Sequence, residues 1–139
     1  MSNDNYITPS KIYDQLNDEF HFNDDACPLN PNGIDGLLRE WGSSTFMNPP
    51  YSRLHEFCMK AVQESHNGKT VVGLLKGDTS TSWFHQWVLP YAEIRFIRGR
   101  VGFLDPNKGK MSRSPFNSII VIWKQTSGIQ STDNDDKQG

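Results

Sequence analysis

The sequence is poor in cysteine and lacks both a long hydrophobic run and a large net charge. Its two cysteines, Cys27 and Cys58, lie far apart and outside any Cys-x-x-Cys spacing, which excludes a zinc site or disulfide framework of the usual kind. Buried thiols in a reducing compartment fit better. No apolar run is long enough for a transmembrane helix, and residues 1–5 lack the pattern of a secretory signal. We therefore expect a cytoplasmic protein without a membrane partner or a metal.

The net charge of −2 is unlike the strongly basic balance of many nucleic-acid-binding proteins. The charges are unevenly distributed, however. Residues 95–113 contain six basic side chains and a single acid, a net charge of +5, so the rest of the chain carries −7. This asymmetry permits a local phosphate-binding face, and a solvated strand-and-loop surface is about equally compatible with it. The candidate backbone contacts are Arg98, Arg100, Lys108, Lys110 and Arg113.

The 139 residues and the 12% of aromatic side chains predict one folded domain at 6–125, between disordered segments at 1–5 and 126–139. Apolar patterns of strand type alternate with patterns of helix type, which favours an α/β fold with a largely parallel sheet. An antiparallel hairpin is expected at one edge. Predicted helices begin at Thr8-Pro9 (with Thr8 as cap) and cover 54–64 and 83–89, and a short turn is expected within 35–42. Predicted strands cover 20–22, 44–47, 70–75, 101–103 and 118–123. A further strand is predicted from residue 93 to a tight turn at 98–100.

The tetrapeptide Asn48-Pro49-Pro50-Tyr51 directly follows a predicted strand and precedes a predicted helix. Open α/β sheets bind ligands outside the carboxyl ends of their strands. An Asn side-chain oxygen and the Pro49 carbonyl are two acceptors for a neutral amino group, and the Tyr51 ring offers a face on which a base can stack. The pattern predicts a pocket for a planar amine, although an Asn-Pro-Pro loop alone is also an ordinary turn.

With further segments, this tetrapeptide resembles the small phage-type DNA N-6-adenine methyltransferase family (Dam-like). The resemblance extends over about residues 6–123. It implies a compact, abbreviated Rossmann-like methyltransferase fold that uses S-adenosylmethionine to methylate the exocyclic amine of adenine at specific DNA sites, in the cytoplasm of a bacterial host. The segments that carry it are Thr8-Pro9, Asp24-Asp25-Ala26-Cys27, Asp35-Gly36-Leu37 with Trp41, Asn48 to Tyr51, Leu74-Leu75, Asp78-Thr79, Trp83-Phe84, Arg98 to Phe103, and Ser114-Pro115 leading into Ser118-Ile119-Ile120.

The resemblance also implies roles for individual residues. The catalytic set is Asn48, Pro49, Pro50 and Tyr51. The cofactor-binding set is Thr8, Pro9, Asp25, Ala26, Cys27, Asp35 and Leu37. Ser52 and Arg53, beside the pocket, join the basic residues named above as DNA contacts. The implied partners are DNA and S-adenosylmethionine, with self-association as a further possibility.

The sequence departs from the methyltransferase pattern in two ways. Ala26-Cys27-Pro28 stands where many such enzymes carry a glycine-rich turn, and the short spacing from Asp25 to Asn48 leaves no room for a target-recognition domain. Two strands common in the fold must be shortened or missing. Two alternatives remain open. The tetrapeptide is also found in enzymes that methylate RNA or protein amides, and the departure at the cofactor turn is compatible with a DNA- or cofactor-binding module without turnover.

Overall fold

The computed structural model describes residues 8–28, 35–99, 101–105, 110–113 and 117–125, with the backbone alone at 103–105 and 110–113. The segments predicted to be disordered, 1–5 and 126–139, lie outside the described residues. The helices are α1 (Ser10–Phe20) and α2 (Leu54–His66), with 3-10 turns at Gly36–Leu38 and Tyr51–Arg53 and a π-helix at Phe84–Val88. The strands are β1 (Asp24–Asp25), β2 (Ser44–Met47), β3 (Thr70–Lys76), β4 (Glu93–Phe96), β5 (Gly102–Asp105), β6 (Lys110–Arg113) and β7 (Ser118–Lys124).

Five strands form one mixed sheet in the order β1-β2-β3-β7-β4. β1, β2 and β3 run parallel, and β7 is antiparallel to both of its neighbours. The predicted α/β class is therefore confirmed, but the antiparallel strand lies inside the sheet and not in a hairpin at its edge. The reason is burial, because β7 is a long apolar run that needs cover on both faces. The observed hairpin, β5 with β6, forms a separate two-stranded sheet.

Helices cover the two faces of this sheet. α2 and the π-helix pack on one face, where Val71 and Leu75 of β3 point, and α1 packs on the other face, where Val72 and Leu74 point. Alternate side chains of a strand point to opposite faces, so the unbroken apolar run of β3 follows from burial on both sides. Within the described part of the chain, no helix is both long enough and apolar enough to cross a membrane.

The strand predicted at 20–22 is wrong. Phe20 is the last residue of α1, and His21 ends that helix in the left-handed conformation with φ of 52°. The rings of Phe20 and Phe22 lie nearly parallel, with their centroids 6.2 Å apart, and Phe22 packs against Phe46 of β2. Their alternation reflects packing of the chain leaving α1, and the short strand β1 forms only at the two residues after Asn23.

Candidate active site at the carboxyl edge of the sheet

The parallel strands β1 and β2 end side by side. Asp25 is in register with Phe46, and the backbone N–H of Ala26 donates to the Phe46 carbonyl at 3.0 Å. Because the carboxyl ends of parallel strands meet at one edge, the turn after β1 lies beside the Asn48 tetrapeptide. Two segments 22 residues apart in the sequence are thus joined by ordinary sheet pairing.

The tetrapeptide forms the rigid exit from β2. Asn48 is half-buried, Pro49 is fully buried, and Pro50 caps the 3-10 turn Tyr51–Arg53, which leads directly into α2. The backbone N–H of Arg53 donates to the Pro50 carbonyl at 2.9 Å. Tyr51 is half-buried and packs against the core on the α2 side of the sheet. Two prolines and a closed turn fix the backbone at the position predicted to hold the reacting amine.

Asn48 is bound by Thr8, forty residues earlier in the chain. Its side-chain Nδ2 donates to the Thr8 hydroxyl at 2.9 Å. This contact occupies the nitrogen end of the amide and so directs the Oδ1 end to the other side of the group. The prediction that Thr8 caps α1 is wrong, because Pro9 is the N-cap residue and makes no side-chain cap bond. Thr8 instead contacts the catalytic candidate.

Cys27 lies between the carboxyl group of Asp25 and the backbone of Asn48. Its backbone N–H donates to Asp25 Oδ1 at 2.9 Å, and the backbone N–H of Asn48 lies close enough to the sulfur to act against the rise in its thiol pKa. Burial raises the pKa of the Cys27 thiol, and the negative charges of Asp25 and Asp35 add to the rise. The group is therefore a neutral thiol and not a thiolate nucleophile.

The surroundings of the Asp25 carboxyl group favour its neutral, protonated form. The residue is exposed as a whole, yet protein surrounds its carboxyl group closely enough for burial to raise its pKa. The charge of Asp24 also raises this pKa, and the hydrogen bond from the Cys27 amide lowers it. A cation bound beside Asp25 would favour the charged carboxylate and lower its pKa.

A 3-10 turn places Asp35 and Leu37 against the same region. The Leu37 N–H donates to Asp35 Oδ1 at 2.9 Å, and this bond, together with that from Arg53, lowers the pKa of Asp35. The turn approaches so closely that a Cβ on Gly36 would lie 2.0 Å from the Ala26 carbonyl oxygen. Only glycine fits at this approach.

The structure also shows two arginines in roles that sequence reasoning missed. Arg53, predicted to contact DNA, pairs with Asp35 through Nη2 and Oδ2 at 2.9 Å. Arg39, not predicted at all, binds both Asp24 oxygens at 2.7 and 3.0 Å and the Asp25 carbonyl at 2.8 Å. Burial alone would raise the pKa of Asp24, but the bonds from Arg39 and the Gly42 amide outweigh it and lower the pKa. The only sequence signal for Arg39 was that a single basic residue stands between the acidic residues Asp35 and Glu40.

The predicted DNA contacts are only partly described. Ser52 is exposed beside the tetrapeptide, and Arg98 is exposed next to Gly99, whose φ of 76° makes the turn. Lys110 and Arg113 lie on β6, where the backbone alone is described, and Arg100 and Lys108 lie outside the described residues. Arg95, counted in the basic stretch, is bound by Glu19 at 2.7 Å and by Glu93 at 3.0 Å, so its charge is largely compensated. Among the described residues, no His, Cys, Asp and Glu cluster could hold a metal ion.

Comparison with known proteins gives a consistent family. The model of the family described as DNA N-6-adenine-methyltransferase (Dam) matches residues 1–138. A DNA N-6-adenine-methyltransferase of Haemophilus phage HP1 (strain HP1c1) is 41% identical over 78 residues, 53% of this chain and 44% of the relative. One of Escherichia phage T1 is 32% identical over 107 residues, 64% of this chain and 45% of the relative.

The chain therefore spans less than half the length of these two curated relatives. No solved structure matches it. The family model covers almost every residue, including all the segments that carried the resemblance, and it confirms the family predicted from them. The chain belongs to the DNA N-6-adenine-methyltransferase (Dam) family.

Proposed function

We propose that this protein transfers a methyl group from S-adenosylmethionine to the exocyclic amine of adenine in DNA. The observation that carries the proposal is the convergence of Thr8, Cys27 and Asn48 at one edge of the sheet. The Asn48 Nδ2 donates to the Thr8 hydroxyl at 2.9 Å, and the Asn48 backbone N–H lies close enough to the Cys27 sulfur to influence its thiol pKa. The predicted methyl-donor and amine-binding residues are therefore in direct contact.

We interpret the sheet as an abbreviated Rossmann-like methyltransferase fold. The parallel strands β1 to β3 are followed in space by the antiparallel β7 and then by β4. β1 has only two residues and, in the described chain, stands at the sheet's end, where the two further strands expected in this fold would lie. The carboxyl edge of β1 and β2, which is the ligand-binding edge of such sheets, is the edge that carries the candidate site.

The residues around Asp25 suit the proposed methyl donor. S-adenosylmethionine would supply a methyl group activated by a cationic sulfonium. Asp25, whose carboxyl pKa is raised by burial, would hold the positively charged part of the molecule, while Thr8, Pro9 and the backbone of Ala26 and Cys27 would line its methionine end. Asp35 and the half-buried Leu37 would lie by the adenosine. The neutral Cys27 thiol takes no part in covalent chemistry.

Asn48 and Pro49 would act on the target amine through two acceptors. The Asn48 Oδ1 and the Pro49 carbonyl would hold the adenine N6 amine and favour the positive charge that develops there, which is stabilisation by preorganised dipoles. Tyr51 would stack on the base, which must be flipped out of a duplex or already be unpaired. Pro50 would position both groups by fixing the turn. No side chain needs to act as a base before the methylated amine loses its proton.

DNA binding would use Ser52 and Arg53 at the pocket and the basic residues of 98–113. Charge reversal at Arg100 and Arg113 should weaken DNA binding and flatten its salt dependence, because fewer counterions are released. An unchanged salt slope would remove these residues from the interface. The pairing of Arg53 with Asp35 suggests that Arg53 also links the cofactor-binding and DNA-binding residues.

The substrate class is tested by competition. The protein is given radiolabelled S-adenosylmethionine with DNA, RNA and a protein extract in separate and mixed reactions, and calorimetry measures methyl-donor binding in parallel. We expect label in DNA alone. Donor binding without label in any acceptor would identify a module without turnover, and label in RNA or protein would assign the same pocket to another amine.

A further inference from the structure

β4 is an edge strand of the five-stranded sheet, and exposed apolar side chains lie on it and in the segment before it. Within the described residues, its outer edge pairs with no strand. Of the four large hydrophobic side chains that are exposed in the described part of the chain, Phe96 lies on β4 itself, and Leu89 and Tyr91 lie in the segment that leads into the strand. Phe96 is 77% exposed. An unpaired edge strand is a template for pairing with another strand, and clustered exposed apolar groups mark interaction surfaces.

The two faces of β4 differ in chemistry. Ile94 packs against the core on the α2 side, as does Ala92, which directly precedes the strand. Phe96 shares the face of Ile94 because strand side chains alternate. Glu93 and Arg95 point to the other face, where Arg95 binds Glu19 of α1 and also Glu93, at 3.0 Å. The strand therefore carries an apolar row on one face and an acid and a base, two residues apart, on the other.

This pattern is self-complementary in one register. We propose that β4 pairs antiparallel with β4 of a second copy about a two-fold axis at Ile94. Ile94 then faces its own symmetry mate, and Phe96 packs over the small Ala92 that precedes the opposite strand. Each Arg95 keeps its two bonds to Glu19 and faces Glu93 of the second copy in place of Glu93 of its own chain. Directly opposed residues lie on the same face in such a pair, so apolar meets apolar and acid meets base.

The neighbouring registers are excluded by the same chemistry. An axis at Arg95 would oppose two arginines, and an axis at Glu93 would oppose two glutamates, which is destabilising in both cases. An axis between two residues would place apolar side chains opposite charged ones and break the continuity of both faces. A two-fold partner must be complementary to itself, and Ala92 to Phe96 meets that condition only when the axis passes through Ile94.

Register-specific cross-linking tests the proposal. In Ile94→Cys the two new thiols would lie directly opposite each other, at a Cα separation of about 4.5–5.5 Å, which suits a disulfide. We expect mild oxidation to give a covalent dimer in Ile94→Cys and not in Leu38→Cys, a matched control at a residue that is 82% exposed and remote from β4 in sequence. The unmodified protein controls for Cys27 and Cys58.

Ile94 is partly buried, so a second pair of variants avoids its core contacts. The double variant Ala92→Cys/Phe96→Cys should also cross-link, because these residues oppose each other in the same register. Sedimentation equilibrium should show a monomer–dimer equilibrium in the unmodified protein, about tenfold weaker in Phe96→Lys and unchanged in Leu38→Lys. A monomer at every concentration, or cross-linking no faster than in Leu38→Cys, would overturn the proposal. Neither measurement involves methyl transfer, so failure here leaves the proposed function intact.

Discussion

The two edges of the central sheet differ in whether their surroundings favour the charged or the neutral forms of titratable groups. At the amino edge, Lys69 precedes β3 and donates to Glu40 at 2.9 Å, to the Trp41 carbonyl at 2.7 Å and to Glu64 at 2.9 Å. Burial would raise the pKa of Glu64, but hydrogen bonds from Lys69 and Lys60 outweigh it and lower the pKa. The hydrogen bonds to Glu64 and Glu40 raise the pKa of Lys69. This edge stabilises charge.

At the carboxyl edge, two groups are pushed toward their neutral forms. Burial raises the pKa of both Asp25 and Cys27. The Leu37 amide and Arg53 lower the pKa of the neighbouring Asp35. The two groups whose neutral forms are favoured are therefore Asp25 and Cys27, in the turn beside the tetrapeptide. Groups with unfavourable electrostatics cluster at functional sites more often than elsewhere. On the proposed function, the amino edge provides stability, and the carboxyl edge, which would bind the methyl donor and the amine, gives up some stability.

The largest effect is expected from Asn48→Ala. This change removes one of the two proposed acceptors for the amine, and loss of one such dipole lowers the rate of the chemical step by about 10²–10³-fold. Methyl-donor affinity should stay near normal, because Thr8 and the turn after β1 remain. Single-turnover methyl transfer and calorimetry on the same preparation measure the two quantities. A variant that retains full activity would exclude the mechanism.

Gly36→Ala should be the most damaging change to stability. Its Cβ would lie 2.0 Å from the Ala26 carbonyl oxygen, so the 3-10 turn must move away from the turn after β1, at a cost of about 3 kcal/mol. Leu38→Ala, at the exposed end of the same turn, is the matched control and should cost little. Urea denaturation gives both values. Equal midpoints for the two variants would show that the close approach is not needed.

Lys69→Met tests the stabilising edge. The change leaves Glu40 and the Trp41 carbonyl without the lysine and leaves Glu64 with Lys60 alone, at 3.1 Å. We expect a clearly lower denaturation midpoint and unchanged methyl transfer per folded molecule. Lys11→Met, at an exposed lysine of α1, is the control. A loss of activity in the folded variant would contradict the division between the edges.

Asp25→Asn should have the smallest and most diagnostic effect. Because the pKa of Asp25 is raised, the folded protein binds more protons than the unfolded chain, whose aspartates titrate near pH 3.9. Stability therefore falls as pH rises through the raised pKa, and the neutral asparagine should make the protein slightly more stable at neutral pH. Affinity for the cationic methyl donor should drop about tenfold. In the unmodified protein this affinity should fall on acidification, whereas in the variant it should be flat. Lower stability together with unchanged affinity would contradict the account.

Sequence reasoning predicted the elements whose signals are local. The apolar run of β3, the helical spacing of α2 and the strand before Asn48 all lie where they were predicted. The strand at 20–22 was wrong because Phe20 and Phe22 alternate for packing reasons unrelated to strand pairing. The interior position of β7 depends on pairing with β3 and β4, which a single sequence does not contain.

The candidate site was predictable in its residue types and less so in its contacts. The chemistry of Asn48 to Tyr51 follows from those four residues, whereas the roles of Thr8, Asp25 and Asp35 were implied by the family resemblance. The bonds of Arg39 to Asp24 and of Arg53 to Asp35 join residues 15 and 18 positions apart. Only the folded chain brings such pairs together, and the roles of all these residues in catalysis stay predictions.

The most direct measurement is nucleoside mass spectrometry of unmethylated DNA after incubation with the purified protein and S-adenosylmethionine. If the carboxyl edge of the sheet grips the adenine amine beside the methyl donor, N6-methyladenine accumulates with time and no other modified nucleoside appears. Methylated cytosine, or DNA that stays unmodified while the protein binds the methyl donor, would contradict that claim.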